Sequence, residues 1–242
     1  MVTKTHPMES PSIMRSWQFF GGPGSWPYRM FDAMRRQVNR RLVRNLLARS
    51  ILGKGARILE AGSGSSFGSS LFARSAVVTL SVAVDLDVEA LRETRRRDRA
   101  LAVVAADVHA LPFLAQSFDL VWSSSTLEHL QHPQQVIAEM RRLTKEGGHL
   151  FIGVPYGWGP LWFQPLIRRT SLGIWLGPVF DRAALIRMVR EQGLEPTATI
   201  TYCCKCFVGV LARRAVERPT CSPRRAEPMA AFSCDVPVQV RS

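Results

Sequence analysis

The sequence lacks an even set of cysteines, and it has no long apolar run free of proline. An odd number of cysteines late in a 242-residue chain does not fit a secreted disulfide framework. The longest uncharged region, Gly147–Ile167, contains three prolines, so it is a poor transmembrane helix. The five cysteines are Cys203, Cys204, Cys206, Cys221 and Cys234.

No stretch near the first residues has the form of a signal peptide. Together with the cysteine usage, this favours a cytoplasmic protein, with peripheral contact to a membrane kept as an option. The sequence does not indicate an oligomeric state.

Acidic residues are scarce, at 19 against 32 Lys and Arg, and the net charge is +13. The excess lies at the two ends of the chain. Residues 1–57 hold eleven basic and two acidic residues, whereas residues 58–212 hold fifteen and fourteen. Because a nucleic-acid enzyme usually carries its basic groove on the main domain, nucleic acid is an unfavoured partner.

The chain divides by composition into four regions. We predict an irregular N-terminal segment over 1–27, a basic amphipathic capping helix within 28–57, a main domain over 58–212 and a mobile basic tail over 213–242. An aromatic insert at 155–180 interrupts the main domain and suggests an apolar acceptor or a membrane-facing lid, or else ordinary core. The basic helix has one apolar face, and it either caps a pocket or binds an anionic membrane surface. We favour the cap.

The main domain alternates apolar runs with helical patterns. The runs lie at 57–60, 77–84, 101–106, 118–122 and 149–154, and two β-rich runs at 196–202 and 206–211 are close enough to form a hairpin. This order predicts an α/β fold with a doubly wound, mostly parallel seven-stranded sheet and an antiparallel final hairpin.

The first of these strands ends in an acid followed by a glycine turn. In Ile58–Gly64, Glu60 closes the apolar run and the chain turns on Gly62 and Gly64. Glycines there let backbone amides approach a ligand closely. A carboxylate beside them repels a pyrophosphate but suits an ammonium or a hydroxyl group.

Acids also end the next two predicted strands, at Asp85 and Asp107. Ligands of parallel sheets bind at the carboxyl ends of the strands, and an acid about 20 residues beyond a glycine turn suits a ribose diol. A carboxylate one strand further out can accept a hydrogen bond from an adenine amine. A dinucleotide dehydrogenase fits less well, since its turn needs glycine at the sixth position, where this chain has Phe67.

These segments together resemble the class I S-adenosylmethionine-dependent methyltransferases. The resemblance is to the type 11 branch, which includes the ubiquinone and menaquinone C-methyltransferases, and it covers about residues 58–154. It implies a Rossmann-like methyltransferase domain. The segments that carry it are Ile58–Gly64, Val82–Asp85, Ala106-Asp107 with Leu111–Phe113, Phe118–Val121, Leu127–Leu130 and Arg142–Gly148.

The resemblance also implies a role for individual residues toward S-adenosylmethionine. Glu60, Gly62 and Gly64 would hold its methionine part, with Ser123 flanking that side. Asp85 would hold the ribose, and Asp107 with the Val108 amide would hold the adenine. Ser63 and Leu86 are further candidates for cofactor binding. The chain departs from the family at Ser66, where a third glycine is usual, and at Glu146, where proline is usual.

His129 is a candidate general base, because its ordinary pKa suits proton transfer. It could equally be a structural histidine near the pocket, since methyl transfer from a sulfonium often needs only alignment. Cys203 and Cys206 have a C-x-x-C spacing but no second pair nearby, so no metal site is predicted.

The expected reaction is methyl transfer to a small apolar or amphipathic acceptor, lipid or quinone-like. Two alternatives stay open. One is an RNA or protein methyltransferase recruited by the basic flanks, and the other is a non-catalytic binding protein with the same fold.

Overall fold

The computed structural model describes residues 25–160 and 178–216, together with the single position 166. Most of the predicted irregular segment 1–27, most of the aromatic insert 155–180 and most of the tail 213–242 therefore lie outside the described residues.

The described chain alternates helices with strands, as its sequence pattern predicts. A short 3₁₀ helix, Leu127–His129, follows the fourth strand. The helices are α1 Trp26–Ala48, α2 Phe67–Ala73, α3 Val88–Arg97, α4 Pro133–Leu143 and α5 Arg182–Glu191. The strands are β1 Ala56–Ala61, β2 Val78–Asp85, β3 Ala102–Ala105, β4 Phe118–Ser124, β5 Thr144–Pro155, β6 Leu194–Tyr202 and β7 Phe207–Arg214.

The strands form one seven-stranded sheet in the order β3-β2-β1-β4-β5-β7-β6. The first five strands run parallel, while β7 is antiparallel to both β5 and β6. The predicted fold class, a doubly wound sheet with a final antiparallel hairpin, is confirmed. The strand order reverses between β1 and β4, and open α/β sheets bind their ligands at such a point.

Helix α1 packs against one face of this sheet. Its side chains Leu42, Val43 and Leu46 are buried in a cluster that also contains Phe72 and Trp122. The two aromatic rings meet edge to face with centroids 5.6 Å apart. The apolar side chains in the C-terminal half of α1 are thus covered by the protein itself, whereas Trp26 and Met30 near its start are exposed.

Strand β5 begins five residues earlier than the sequence predicts, at Thr144 rather than His149. Thr144 is the pairing partner of Phe118, and a register shift in β4 accommodates the intervening residues. Glu146 therefore lies within the strand. Strand β3 is shorter than predicted.

Among the residues that the structure describes, no helix combines the length and apolar character needed to cross a bilayer.

Candidate functional site

The glycine turn after β1 is tied to the end of β2. The amides of Gly62 and Ser63 both donate to the Val84 carbonyl, each at a distance of 2.9 Å. The Gly64 amide donates to Oδ2 of Asp85 over 2.7 Å. Gly62 and Gly64 have φ values of +73° and +48°, a region that favours glycine. The glycine turn after β1 and the acid at the end of β2, Asp85, are therefore in direct contact.

Gly62 is also held by a residue that lies just beyond β4. Oγ1 of Thr126 donates to the Gly62 carbonyl over 3.0 Å. A Cβ atom added at Gly62 would lie 2.3 Å from Cγ2 of Thr126, which is closer than real atoms approach. Only glycine fits here, on grounds of both conformation and space.

Glu60 is buried beneath this turn. Its Oε2 accepts hydrogen bonds from the Ser69 amide at 3.0 Å and the Ser69 hydroxyl at 2.5 Å. Burial raises the pKa of Glu60 to about 8, although the Ser69 hydrogen bonds and the charge of Arg35 act in the opposite direction. A cationic ligand group beside such a buried carboxyl would stabilise the charged form of the carboxyl and lower its pKa.

Asp85 is held at both oxygens by the backbone. Oδ2 accepts from Gly64, and Oδ1 accepts from the Asp87 amide at 2.9 Å. The carboxylate is half-buried, so its remaining lone pairs can accept from two hydroxyl groups of a ligand. Leu86, the next residue, is 50% exposed and offers an apolar surface beside it.

Ser66 occupies the position at which the resembled family has glycine. It adopts the left-handed conformation that glycine favours, with φ at +53°, and it is fully buried. Its hydroxyl donates to Oγ of Ser63 over 3.0 Å, and its amide donates to the Ser63 carbonyl over 2.8 Å. The turn survives the substitution because these bonds fix a conformation that serine rarely adopts.

The sequence predicted that Asp107 lies at the end of a buried strand, but the structure places it in an exposed loop. It lies two residues beyond β3 with 53% of its side chain exposed. Its Oδ1 accepts from the His109 amide at 2.9 Å and lies 2.7 Å from Nδ1 of the same histidine. Val108 is buried in the core, so only its backbone amide remains as a ligand contact.

Ser123 is fully buried at the end of β4. Its hydroxyl donates to the Ala61 carbonyl over 2.8 Å, which fastens β4 to β1. The side chain therefore supports the turn, and its hydroxyl proton is already donated to a backbone carbonyl.

Glu128, next to His129 in the chain, and Tyr202, whose pKa is raised by burial and in part by Glu128, are functional candidates that sequence reasoning missed. Glu128 is buried, and its Oε2 has no hydrogen-bond partner among the described residues. The phenol of Tyr202, which lies at the end of β6, hydrogen-bonds Oγ of Ser124 at 2.8 Å. The sequence contained a sign that Glu128 is functional, because a charged residue interrupts the apolar segment Leu127–Leu130. It contained no such sign for Tyr202.

The electrostatics of this second group follow from burial. Burial raises the pKa of Glu128 to about 8. It lowers the pKa of His129, whose Nε2 lies 3.9 Å from Oε1 of Glu128. At neutral pH both side chains are therefore mainly uncharged, and the imidazole can accept a proton.

Arg35 brings helix α1 to the glycine turn. A Cβ atom built on Gly64 would lie 3.4 Å from its Nη2, and its charge lowers the pKa of Glu60. The sequence predicted a cap over the pocket but did not single out this arginine.

The cysteine pair lies in the β6–β7 turn. Cys203 and Cys204 have positive φ values, and Cys203 is half-buried. Burial raises the pKa of the Cys203 thiol to about 11, so it is a weak nucleophile. Within the described ranges, no cluster of three His, Cys, Asp or Glu side chains could hold a metal ion.

The turn, the two carboxyl groups and the sheet edge fit S-adenosylmethionine. Glu60 suits its ammonium group, Asp85 suits its ribose hydroxyls, and Gly62 and Gly64 leave the backbone accessible. Residues 59–152 match the family model described as "Methyltransferase domain". The chain carries a methyltransferase domain. The predicted family and cofactor are confirmed at this level.

Curated proteins similar to this methyltransferase domain act on different acceptors, as their names state. The chain is 34% identical over 114 residues to malonyl-[acyl-carrier protein] O-methyltransferase of Enterobacter lignolyticus, covering 47% of this chain and 45% of that protein. It is 35% identical over 98 residues to demethylmenaquinone methyltransferase of Renibacterium salmoninarum, covering 40% of each. The chain thus spans less than half the length of these relatives.

Solved methyltransferase structures share the fold. The SAM-dependent methyltransferase of Thermotoga maritima, described as a possible histamine N-methyltransferase, superposes with a TM-score of 0.63 at 17% identity. The match covers 84% of this chain and 99% of that one. At this identity the likeness concerns the fold alone.

Proposed function

We propose that the protein transfers a methyl group from S-adenosylmethionine to a small apolar or amphipathic acceptor, lipid or quinone-like. The observation that carries this proposal is the contact between the Gly64 amide and Asp85, which joins the glycine turn to the ribose-binding acid. When bound, the cofactor would supply a methyl group on a positively charged sulfur: an acceptor atom would bond to the methyl carbon as the carbon–sulfur bond breaks, and the neutral thioether S-adenosylhomocysteine would leave.

The residues of this chain bind and orient the cofactor. Asp85 fixes the ribose through hydrogen bonds from its hydroxyls, while Glu60 receives the ammonium group. The backbone of Gly62–Gly64 supports the methionine part between them. Holding the reacting groups in line in a water-poor site supplies most of the acceleration in such a reaction.

The acceptor would approach from the β4 and β6 side of the sheet edge. Glu128 and His129 lie there, together with Tyr202, whose ring stacks on Phe207 with centroids 5.5 Å apart. Trp158, in the loop after β5, is 81% exposed. These aromatic surfaces support an apolar acceptor over a highly charged one.

A mass-shift screen tests the proposal. Candidate quinones, lipids, acidic metabolites, RNA and peptides are incubated with the protein and S-adenosylmethionine labelled in its methyl group. The Asp85→Ala variant serves as a matched control. We expect labelled product from an apolar or amphipathic small molecule in the parent and a strong reduction in the variant. Label on RNA or peptides alone, or cofactor binding without transfer to any acceptor, would favour one of the two alternatives.

A further inference from the structure

A cavity of about 230 Å³ lies on the outer surface between helices α1, α2 and α3. Four of its seven lining residues are arginines, two from α1 and one each from the ends of α2 and α3. They are Arg36, Arg40, Arg74 and Arg97.

Two of these arginines are fixed against one aromatic ring. Cζ of Arg36 and Cζ of Arg97 lie 4.2 Å and 4.4 Å from the centroid of Phe67. Arg97 is held further by a hydrogen bond of 2.6 Å from its Nη2 to the Ser65 carbonyl. Stacked guanidinium groups of this kind are oriented before a ligand arrives, which lowers the entropy cost of binding.

A buried hydroxyl also faces this region. Ser70 lines the cavity and is 6% exposed, and its Oγ has no hydrogen-bond partner among the described residues. An unpartnered buried hydroxyl is costly unless a ligand or water satisfies it. One acid offsets part of the positive charge, since Oδ2 of Asp98 lies 3.7 Å from Nη2 of Arg74.

We propose that this cavity binds a multiply charged phosphate group, as a phosphomonoester or a diphosphate. Guanidinium groups match phosphate oxygens in geometry and charge, and the Ser70 hydroxyl can donate to another oxygen. The volume is below the roughly 300–1,000 Å³ of most small-molecule pockets, so the cavity suits a headgroup rather than a whole acceptor.

The cavity is separate from the cofactor cradle. Its lining contains none of Glu60, Gly62, Gly64 and Asp85. The inference therefore stands whether or not methyl transfer is observed.

Calorimetric titration of the full chain with pyrophosphate at physiological salt tests the proposal. The variant Arg40→Gln/Arg74→Gln removes two cavity arginines. The control Arg44→Gln/Arg99→Gln removes two exposed arginines outside the lining, so both variants lose the same net charge. We expect binding in the parent, a loss of about tenfold or more in the cavity variant and less than about twofold in the control.

Vesicles identify the source of the phosphate. Cavity-dependent sedimentation with phosphatidic acid vesicles, but not with phosphatidylserine vesicles, would indicate a lipid phosphomonoester. Pyrophosphate binding without vesicle binding would indicate a soluble phosphate. Equal losses in both double variants, no pyrophosphate binding by the parent, or competition by S-adenosylhomocysteine would overturn the proposal.

Discussion

The amide nitrogen of Gly64 lies 2.7 Å from Oδ2 of Asp85, so one hydrogen bond joins residues 21 positions apart at the ends of two neighbouring strands. The turn positions the acid, and the acid fixes the turn. The protein's own atoms thus join the two parts of the cradle, which limits the ordering that cofactor binding requires.

Replacing Asp85 with alanine should weaken S-adenosylmethionine binding at least tenfold. The change removes charge-assisted hydrogen bonds to two hydroxyls, worth about 1.5–3 kcal/mol. Calorimetry measures the loss, and circular dichroism checks that the fold persists. Glu195→Ala, at an exposed acid on β6, should bind as the parent does. Parental affinity in Asp85→Ala would mean that this residue is not the ribose ligand.

Gly62→Ala should destabilise the protein by about 1–3 kcal/mol and disturb cofactor binding. The new methyl group would meet Thr126 and would occupy a left-handed backbone conformation. Urea unfolding measures the effect. Gly53→Ala is the matched control, because nothing lies within 4 Å of its added Cβ and its φ is not positive. An equal, small effect of both substitutions would contradict the geometry of the turn.

The contribution of Glu60 and Glu128 to the free energy of unfolding without cofactor should fall as the pH rises from about 4.5 to about 8. Burial raises the pKa of both Glu60 and Glu128 to about 8, from 4.5 in the unfolded chain. Between these values the native state binds more protons than the unfolded state, so stability decreases with pH.

Glu128→Gln should remove its part of this dependence. The difference in melting temperature between the variant and the parent should shift in favour of the variant by roughly 2–4 °C or more between pH 5 and pH 8. Thermal unfolding at several pH values measures this, with Glu195→Gln as an exposed control. Parallel curves for Glu128→Gln and the parent would show that Glu128 is not a buried neutral acid.

His129→Ala should lower turnover by less than about tenfold, through disturbed positioning of the acceptor. A general base would instead cost about 10²–10⁴-fold, and the parent rate would rise with pH through the titration of His129. Because burial lowers the pKa of His129, that rise would lie below the ordinary histidine range. The pH profiles of parent and variant, with an acceptor from the screen, separate the two roles. A thousandfold loss with a flattened profile would establish the base.

Sequence reasoning found the parts of the site that are local in the chain. Glu60, Gly62 and Gly64 are neighbours, and the order of strands places Asp85 beside them. The same reasoning placed Asp107 at a buried strand end, whereas it pairs with His109 in an exposed loop. A short-range hydrogen bond of this kind depends on side-chain geometry that the pattern of apolar residues does not contain.

Contacts between distant segments could not be predicted. Tyr202 reaches Ser124 across 78 residues, and this contact requires that β5 and β7 lie between them without obstruction. Gly153 provides the space, since a Cβ there would lie 2.0 Å from the Tyr202 hydroxyl. The stacking of Arg36 and Arg97 on Phe67 likewise depends on how three helices pack.

The most direct test of the account is calorimetric titration of the parent protein with S-adenosylmethionine, S-adenosylhomocysteine and NAD. We expect both adenosyl compounds to bind in the micromolar range or tighter, about −8 kcal/mol, and NAD to show no binding. Binding of NAD without binding of S-adenosylmethionine would contradict the assignment of the cradle.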